Sequence, residues 1–525
     1  MSTDRATSTP AAEALLHGWH VGGLLEQASR RHVDRPFLVG GGARLTYREA
    51  ECRTTAISRW MEAQGIGRGD RVVIVAKNRA ETALLVFAAA RIGAIFVVIN
   101  NLMRPYGFEQ ILQQAEPKLV ALDETALELL GCMRGAQRLF IGSGDCPGNP
   151  ARLDDIPDAP PGRPRPFPGI DLDPACLIFT SGSTGQPRGV VLSHDSIRFV
   201  VAAIQERLGY RPDDVIGVFL PLSFDYGLYQ LFLAAQVGAA VFVGRPEMTG
   251  PELLRVLKAE GVTVLPGVPT VFTAMLKMLS RSAEPLPQLR ALTNTGDRLP
   301  RPHVEQLRAR LPGARVYLMF GLTECKRVSI MLPEELDAHP DSVGRPLAGT
   351  EVRVVDGAGR PLPPGETGEL VIRGRHVALG YWRAEAETRQ RFRQSGTEAR
   401  ELWSGDSGYM DADGFLYFHG RMDQLLKHRG YRISPLEIEE AACQIGGVSE
   451  AGVVQSDADG SLHLFVSLTD PALTATAIVA DLRARLEPVK IPEHVHVVPA
   501  LPKTANRKTD RKQLKQQLDG AAPSS

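Results

Sequence analysis

The sequence predicts an α/β fold: a large N-terminal domain of helix-covered sheets plus a small β-unit, followed by a small α+β C-terminal domain. Three observations carry this. Over most of the chain, β-branched apolar runs alternate with segments of helical spacing. One glycine- and hydroxyl-rich stretch is wedged between two such runs. Beyond residue 420 the elements become shorter and form a separate α+β pattern. The 525 residues, 43% of them hydrophobic, are enough to bury several cores in roughly two or three units.

The elements follow in order. Residues 21–31 have helical spacing. Leu45-Thr46-Tyr47-Arg48-Glu49 opens an amphipathic helix that runs to about residue 65. Residues 71–76 and 94–99 read as buried strands around a helix at 81–92, which implies a parallel sheet covered by helices. A second such unit spans 106–141, and the Pro- and Gly-rich 144–170 reads as a surface connection. The alternation resumes with helices at 196–208, 228–237, 251–260 and 269–279. Strands are expected at 215–220, 240–243, 262–266, 289–294 and 315–319. Residues 333–348 read as loop. Residues 351–355 and 368–372 read as a small β-hairpin unit. A boundary near 420–423 divides the chain into 1–422 and 423–525. The second part is expected to hold helices at 438–443 and 478–486 and strands at 452–454, 462–468 and 494–498.

Composition excludes several classes. Lys plus Arg and Asp plus Glu are both 60, so no basic surface for nucleic acid or anionic membrane is expected. The six cysteines are scattered without metal spacing, which fits reduced thiols in a cytoplasmic protein. Neither a signal core nor a membrane span is expected.

The apolar run 175–179 leads into Thr180-Ser181-Gly182-Ser183-Thr184-Gly185-Gln186-Pro187-Arg188-Gly189-Val190, after which an apolar run resumes. Glycines let successive N–H groups converge and leave room for a bulky anion, and the hydroxyls add donors for phosphate oxygens. A flexible linker has similar composition but does not sit between two buried strands. The P-loop pattern is not matched. Phe320-Gly321-Leu322-Thr323-Glu324 closes another strand. There an aromatic ring can stack on a base and a carboxylate suits Mg²⁺, although the same residues would also serve as a helix start capped by Thr323. Thr295-Gly296-Asp297 and Ser404-Gly405-Asp406 read alone as turns. Asp406 has the chemistry to accept two hydrogen bonds from a vicinal diol.

Taken in order over about residues 20–518, these motifs resemble those of the AMP-forming adenylating enzymes: acyl-CoA synthetases, peptide-synthetase adenylation domains and luciferases. Two later segments strengthen the resemblance. Gly420 to Ile433, with Glu437, is similar to the family's hinge motif. Leu501 to Arg511 is similar to its catalytic-lysine motif, with Lys508 on the lysine and Arg507 in place of a glycine. In the loop, Arg188 keeps the second basic residue and Gln186 replaces the first.

The resemblance implies ATP and Mg²⁺ as cofactors, with Thr184, Glu324 and Lys508 as the catalytic set. Thr180, Ser181, Gly182, Ser183, Thr184, Gly185 and Arg188 would hold the β- and γ-phosphates. Gly296 and Asp297 would lie beside adenine, with Phe320 and Gly321 on the base side. Thr323 would contact the α-phosphate and Glu324 the metal. Asp406 and Arg421 would grip ribose, and Asp423 would be the pivot on which a mobile small domain swings.

The acid to be activated is expected to be read by Phe224, Asp225, Tyr226, Tyr229, Met319, Arg327 and Val328. Family members that activate amino acids carry Phe-Asp where this chain has Phe224-Asp225. A carboxylate facing an apolar cavity calls for a cation, and a substrate ammonium is the natural one; a helix cap is the other use for Asp225. Arg327 either pairs with an acidic side chain or faces solvent. The implied function is activation of an α- or β-amino acid as its aminoacyl-AMP and its transfer to the phosphopantetheine thiol of a separate carrier protein. The alternative is a fatty or aryl acyl-CoA synthetase, and a third reading is a nucleotide-binding relative without catalysis.

Overall fold

The computed structural model describes residues 19–40, 43–160, 166–181, 187–281, 286–395, 399–422, 426–428, 431–457, 459–504 and 508–520. Among these, two large sheets dominate. The first has eight strands in the order Gly380–Tyr381, Pro187–Ser193, Pro174–Ser181, Ile95–Ile99, Arg71–Val75, Leu119–Asp123, Gln137–Ile141 and Ala151–Arg152. The second has nine: Arg345–Pro346, Ser329–Met331, Arg315–Phe320, Ala291–Asn294, Val264–Gly267, Val215–Val218, Ala240–Val243, Pro36–Gly40 and Ala43–Thr46. The middle of each sheet is parallel; the nine-stranded sheet is antiparallel at both edges, and the eight-stranded one only at the edge that carries Pro174–Ser181, Pro187–Ser193 and Gly380–Tyr381. The Pro36–Gly40 strand joins the second sheet by pairing with Ala240–Val243, a contact across most of the domain for which the sequence carries no local signal.

Helices fill the space between the sheets. Ala80–Arg91 is buried along nearly its whole length, and Leu85, Phe87 and Phe232 belong to one continuous core. Tyr47–Ala63 begins where the sequence places it. Thr46 caps it by accepting from Glu49 N, and the Glu49 carboxylate accepts from Thr46 N at 2.7 Å. Among the described residues no helix is long and apolar enough to cross a membrane.

The small β-unit is larger than the predicted hairpin. Thr350–Val355 and Gly368–Gly374 continue into Phe392–Ser395, Ala399–Met410 and Leu416–Arg421, giving five antiparallel strands. The sequence reading missed the last three because their glycines and charges interrupt the apolar alternation. The C-terminal domain holds the three-stranded sheet Val448–Gln455, Leu462–Leu468 and His494–Val497, covered by Pro435–Cys443 and Ala475–Arg485. A further helix, Arg511–Gly520, was not predicted, because its only apolar anchors are Leu514 and Leu518 among charged and amide side chains.

Candidate active site

The carboxyl end of Arg315–Phe320, the Gly296 turn, the Pro174–Ser181/Pro187–Ser193 pair and the C-terminal tail converge on a cleft of about 630 Å³. A cleft outside the carboxyl ends of parallel strands is where α/β sheets hold ligands, because strand order leaves a crevice there. Thr180 and Arg188 line one wall and face each other as register partners. Ser181 ends its strand, and the expected phosphate contacts at Gly182, Ser183, Thr184 and Gly185 lie outside the described residues.

Asp406 and Arg421 stand opposite one another in adjacent antiparallel strands. Arg421 Nη1 is 3.5 Å from Asp406 Oδ1 and also donates to Ser404 O at 3.2 Å. Asp406 N donates to Ser404 Oγ, which in turn donates to Leu370 O. Backbone pairing therefore fixes the carboxylate and its cation on one rim of the cleft, which both residues line. Asp423, the expected pivot, lies outside the described residues.

Phe320 and Gly321 line the cleft, and the Phe320 ring lies 4.9 Å from that of Phe418. No helix starts at the following turn, which rules out capping as the use of Thr323; that residue is half-buried and does not line the cleft. Glu324 does line it, and its Oε1 accepts a hydrogen bond from Tyr381 Oη at 2.7 Å. Burial and the adjacent Glu324 carboxylate hold the Tyr381 phenol well above its ordinary range, so it stays a donor. No group of three or more His, Cys, Asp or Glu among the described residues is arranged to hold a metal. One carboxylate completed by substrate phosphates and water is instead the donor set that suits Mg²⁺.

Gly296 has φ 89°, the left-handed region, and a Cβ there would stand 3.3 Å from Val268 Cγ1, 3.6 Å from the Phe224 ring and 3.7 Å from Lys508 Cε. The Lys508 stem thus reaches from the small domain onto the turn that carries Asp297, and both residues line the cleft. Arg298, next along, ion-pairs with Glu440 of the helix Pro435–Cys443, an added contact between the two domains. Burial raises the Glu440 carboxyl to about 7 against the pull of Arg298.

The expected substrate-reading residues form a second, closed cluster behind this cleft. Met319 lines the cleft, whereas Phe224, Asp225, Tyr226, Tyr229, Arg327 and Val328 do not. Val328 is fully buried, and its N–H donates to Phe320 O. The helix Asp225–Val237 begins three residues before the predicted 228–237, with Phe224 as its N-cap residue. Its start is pressed onto the preceding loop: a Cβ on Gly227 would stand 2.5 Å from Pro221 O. Asp225 therefore sits inside the first turn, where it makes no cap and where the helix N-terminus favours its charge.

Nor does Asp225 face an apolar space alone, as the sequence led us to expect. Lys326 Nζ lies 3.2 Å from Asp225 Oδ2, with both side chains buried. The ammonium also lies 4.6 Å from the Tyr229 ring centroid and 5.4 Å from that of Tyr226. Burial brings Lys326 down to about 8, against the opposing pull of Asp225. Arg327 is 2% exposed, so it does not face solvent. It donates to Thr295 Oγ1 and lies 5.5 Å from the Tyr226 ring, whose hydroxyl donates to Thr293 O at 2.6 Å. Lys326 was missed. Its signal is the cation pair Lys326-Arg327, one residue beyond Glu324, and its left-handed φ of 58° turns it away from its neighbour's direction.

The sequence pattern described as "AMP-binding enzyme" matches residues 25–382, and "AMP-binding enzyme C-terminal domain" matches residues 437–508. The L-proline–[L-prolyl-carrier protein] ligase of Streptomyces coelicolor is 30% identical over 516 residues, covering 94% of this chain and 95% of that protein. The structure of VinN with L-aspartate superposes with a TM-score of 0.67 at 32% identity, covering 76% of this chain and 98% of VinN. The o-succinylbenzoate coenzyme A synthetase of Bacillus subtilis, solved with ATP and magnesium ion, superposes with a TM-score of 0.79 at 26% identity, covering 94% of this chain and 99% of that one. Its sequence and fold together place this chain in the AMP-binding enzyme family, as an AMP-forming ligase with a large N-terminal and a small C-terminal domain.

Proposed function

We propose that the chain activates an amino acid bearing a second carboxylate as its aminoacyl-AMP and passes it to the phosphopantetheine thiol of a separate carrier protein. The observation that carries this reading is the buried cluster of Asp225, Lys326 and Arg327, one carboxylate against two cations. Buried charges persist only when paired. An amino acid with a second carboxylate brings an ammonium for Asp225 and an anion for Lys326 and Arg327, so the Asp225–Lys326 pair can be exchanged without stranding either partner. A substrate with an amine alone would leave Lys326 buried and unpaired. The likeness to VinN, solved with L-aspartate, and to a carrier-protein ligase supports both halves of the proposal.

In this reading the reacting carboxylate attacks the α-phosphate of ATP, forming a carboxyl–phosphate bond as the bond to pyrophosphate breaks. Lys508 stabilises the charge that develops between carboxylate and α-phosphate. Asp406 and Arg421 fix the ribose, and Thr180, Arg188 and the intervening loop orient the leaving group. Mg²⁺ held by Glu324 would neutralise phosphate charge. The small domain would then turn about Asp423, withdrawing Lys508 and admitting the thiol, which displaces AMP. We place the enzyme in the cytoplasm, with its cysteines reduced; all six are free thiols in the structure.

The second reading is a coenzyme A ligase for a plain acid. It draws on the Asp225–Lys326 pair, which is complete without a substrate amine. Acid-dependent pyrophosphate exchange separates the two. Exchange is expected with L-aspartate or its β-amino relatives and not with the matching amides. Equal rates with aspartate and asparagine overturn the second-carboxylate reading, and exchange only with plain acids overturns the amino-acid reading altogether.

A further inference from the structure

Tyr381 belongs to none of the motifs assigned above, yet its phenol reaches the carboxylate on which cation binding depends. We propose that Tyr381 is a positioning residue: it fixes the Glu324 carboxylate for the divalent cation and ties that carboxylate to the strand that carries the phosphate-binding Arg188. The inference rests on Glu324 as the metal carboxylate.

Five contacts support it. Tyr381 Oη donates to Glu324 Oε1 at 2.7 Å from a side chain that is 6% exposed and lines the cleft. The short strand Gly380–Tyr381 pairs with Pro187–Ser193, placing Tyr381 opposite Val190. The Arg188 guanidinium lies 5.7 Å from the Tyr381 ring centroid. The segment is held at both ends as well: Ala378 N donates to Glu324 O at 2.8 Å, and Tyr381 N donates to Thr388 Oγ1 at 2.9 Å. Tyr381 is therefore a strut between the phosphate-side strand and the metal-side turn.

The physical gain is orientation. A free glutamate side chain loses rotamer freedom when it binds a cation, and a carboxylate already held has less to lose. A carboxylate offers about four lone-pair sites, so one bond at Oε1 leaves acceptor capacity for a hard cation. Hydrogen-bond partners of metal-binding carboxylates typically govern metal affinity by about ten- to a hundredfold.

The test is calorimetric titration of ATP, with and without Mg²⁺, into wild type, Tyr381→Phe, Glu324→Gln and the double variant. Phenylalanine keeps the ring beside Arg188 and removes only the hydroxyl. We expect Tyr381→Phe to weaken MgATP binding by about tenfold while metal-free ATP binds as in wild type. In the Glu324→Gln background the Phe substitution is expected to add nothing. A Tyr381→Phe variant that binds MgATP like wild type, while Glu324→Gln loses the magnesium dependence, overturns this inference alone. Equal weakening with and without the metal overturns it in favour of a merely structural tyrosine. A Glu324→Gln variant that keeps the full magnesium dependence overturns both the metal assignment and the role of Tyr381.

Discussion

The proposed nucleotide end and the proposed acyl end of this site are built in different ways. At the proposed nucleotide end, the side chains sit on strands and are fixed by backbone pairing: Thr180 opposite Arg188, and Asp406 opposite Arg421. At the acyl end, the charges come from side chains on a helix start and a left-handed turn, Asp225 and Lys326, and hold one another. ATP does not vary, so its contacts can be carried by rigid ladders at fixed sequence spacing. The acid differs between relatives, and side chains on a turn can be exchanged without disturbing a sheet.

That contrast breaks if the two ends prove interchangeable in their kinetics. The largest effect is expected for Lys508→Ala, which should lower acid-dependent pyrophosphate exchange by about 10²–10³-fold, because it removes a preorganised charge from the reacting centre. Transfer from preformed aminoacyl-AMP to the thiol should be spared. An exchange rate that survives the substitution moves the catalytic charge elsewhere and favours a different catalytic residue.

Next comes Lys326→Met, which keeps the stem and removes the charge. KM for a substrate with a second carboxylate should rise by about thirtyfold, as expected for loss of one partner of a buried charge pair, at ~2 kcal/mol. KM for ATP should not move. If both constants rise together, the two ends are coupled and the division drawn above fails.

Gly296→Ala tests the place where the ends meet, since the turn touches both Phe224 and Lys508. A side chain in this left-handed conformation should cost about 1–3 kcal/mol of stability, read as a lower denaturant midpoint, with KM for ATP and for the acid raised together. The smallest effect is expected for Arg298→Ala at the contact between domains. Its ion pairs with Asp341 and Glu440 are partly exposed, so the adenylation rate should fall by about threefold or less. A much larger drop would make Arg298 a part of the nucleotide site.

The legibility of the sequence follows the same division. The helix at Tyr47–Ala63 could be read because its cap, Thr46, and its partner, Glu49, lie three residues apart and bond locally. The stretch 180–190 stands out in the sequence as a candidate phosphate loop because its glycines and hydroxyls are gathered in one segment, and residues 182–186 lie outside the described residues. The strands that carry Asp406 and Arg421 could not, because their pairing compensates for residues that disfavour strands, and that pairing is not local. Tyr381 gave no signal and Lys326 only its place in a cation pair, for a similar reason: each is held by a partner distant in sequence, Glu324 and Asp225.

By itself the sequence determined the alternation of strands and helices, the order of the nucleotide motifs and hence the family, since periodicity and spacing are local quantities that any fold must respect. Only the tertiary structure decided that Asp225 already has a cation, that Arg327 turns inward to Thr295, and that Tyr381 donates a hydrogen bond to Glu324. The physical reason is that the energy of a buried charge depends on what else is buried within a few ångströms of it. Chain separation does not encode that distance.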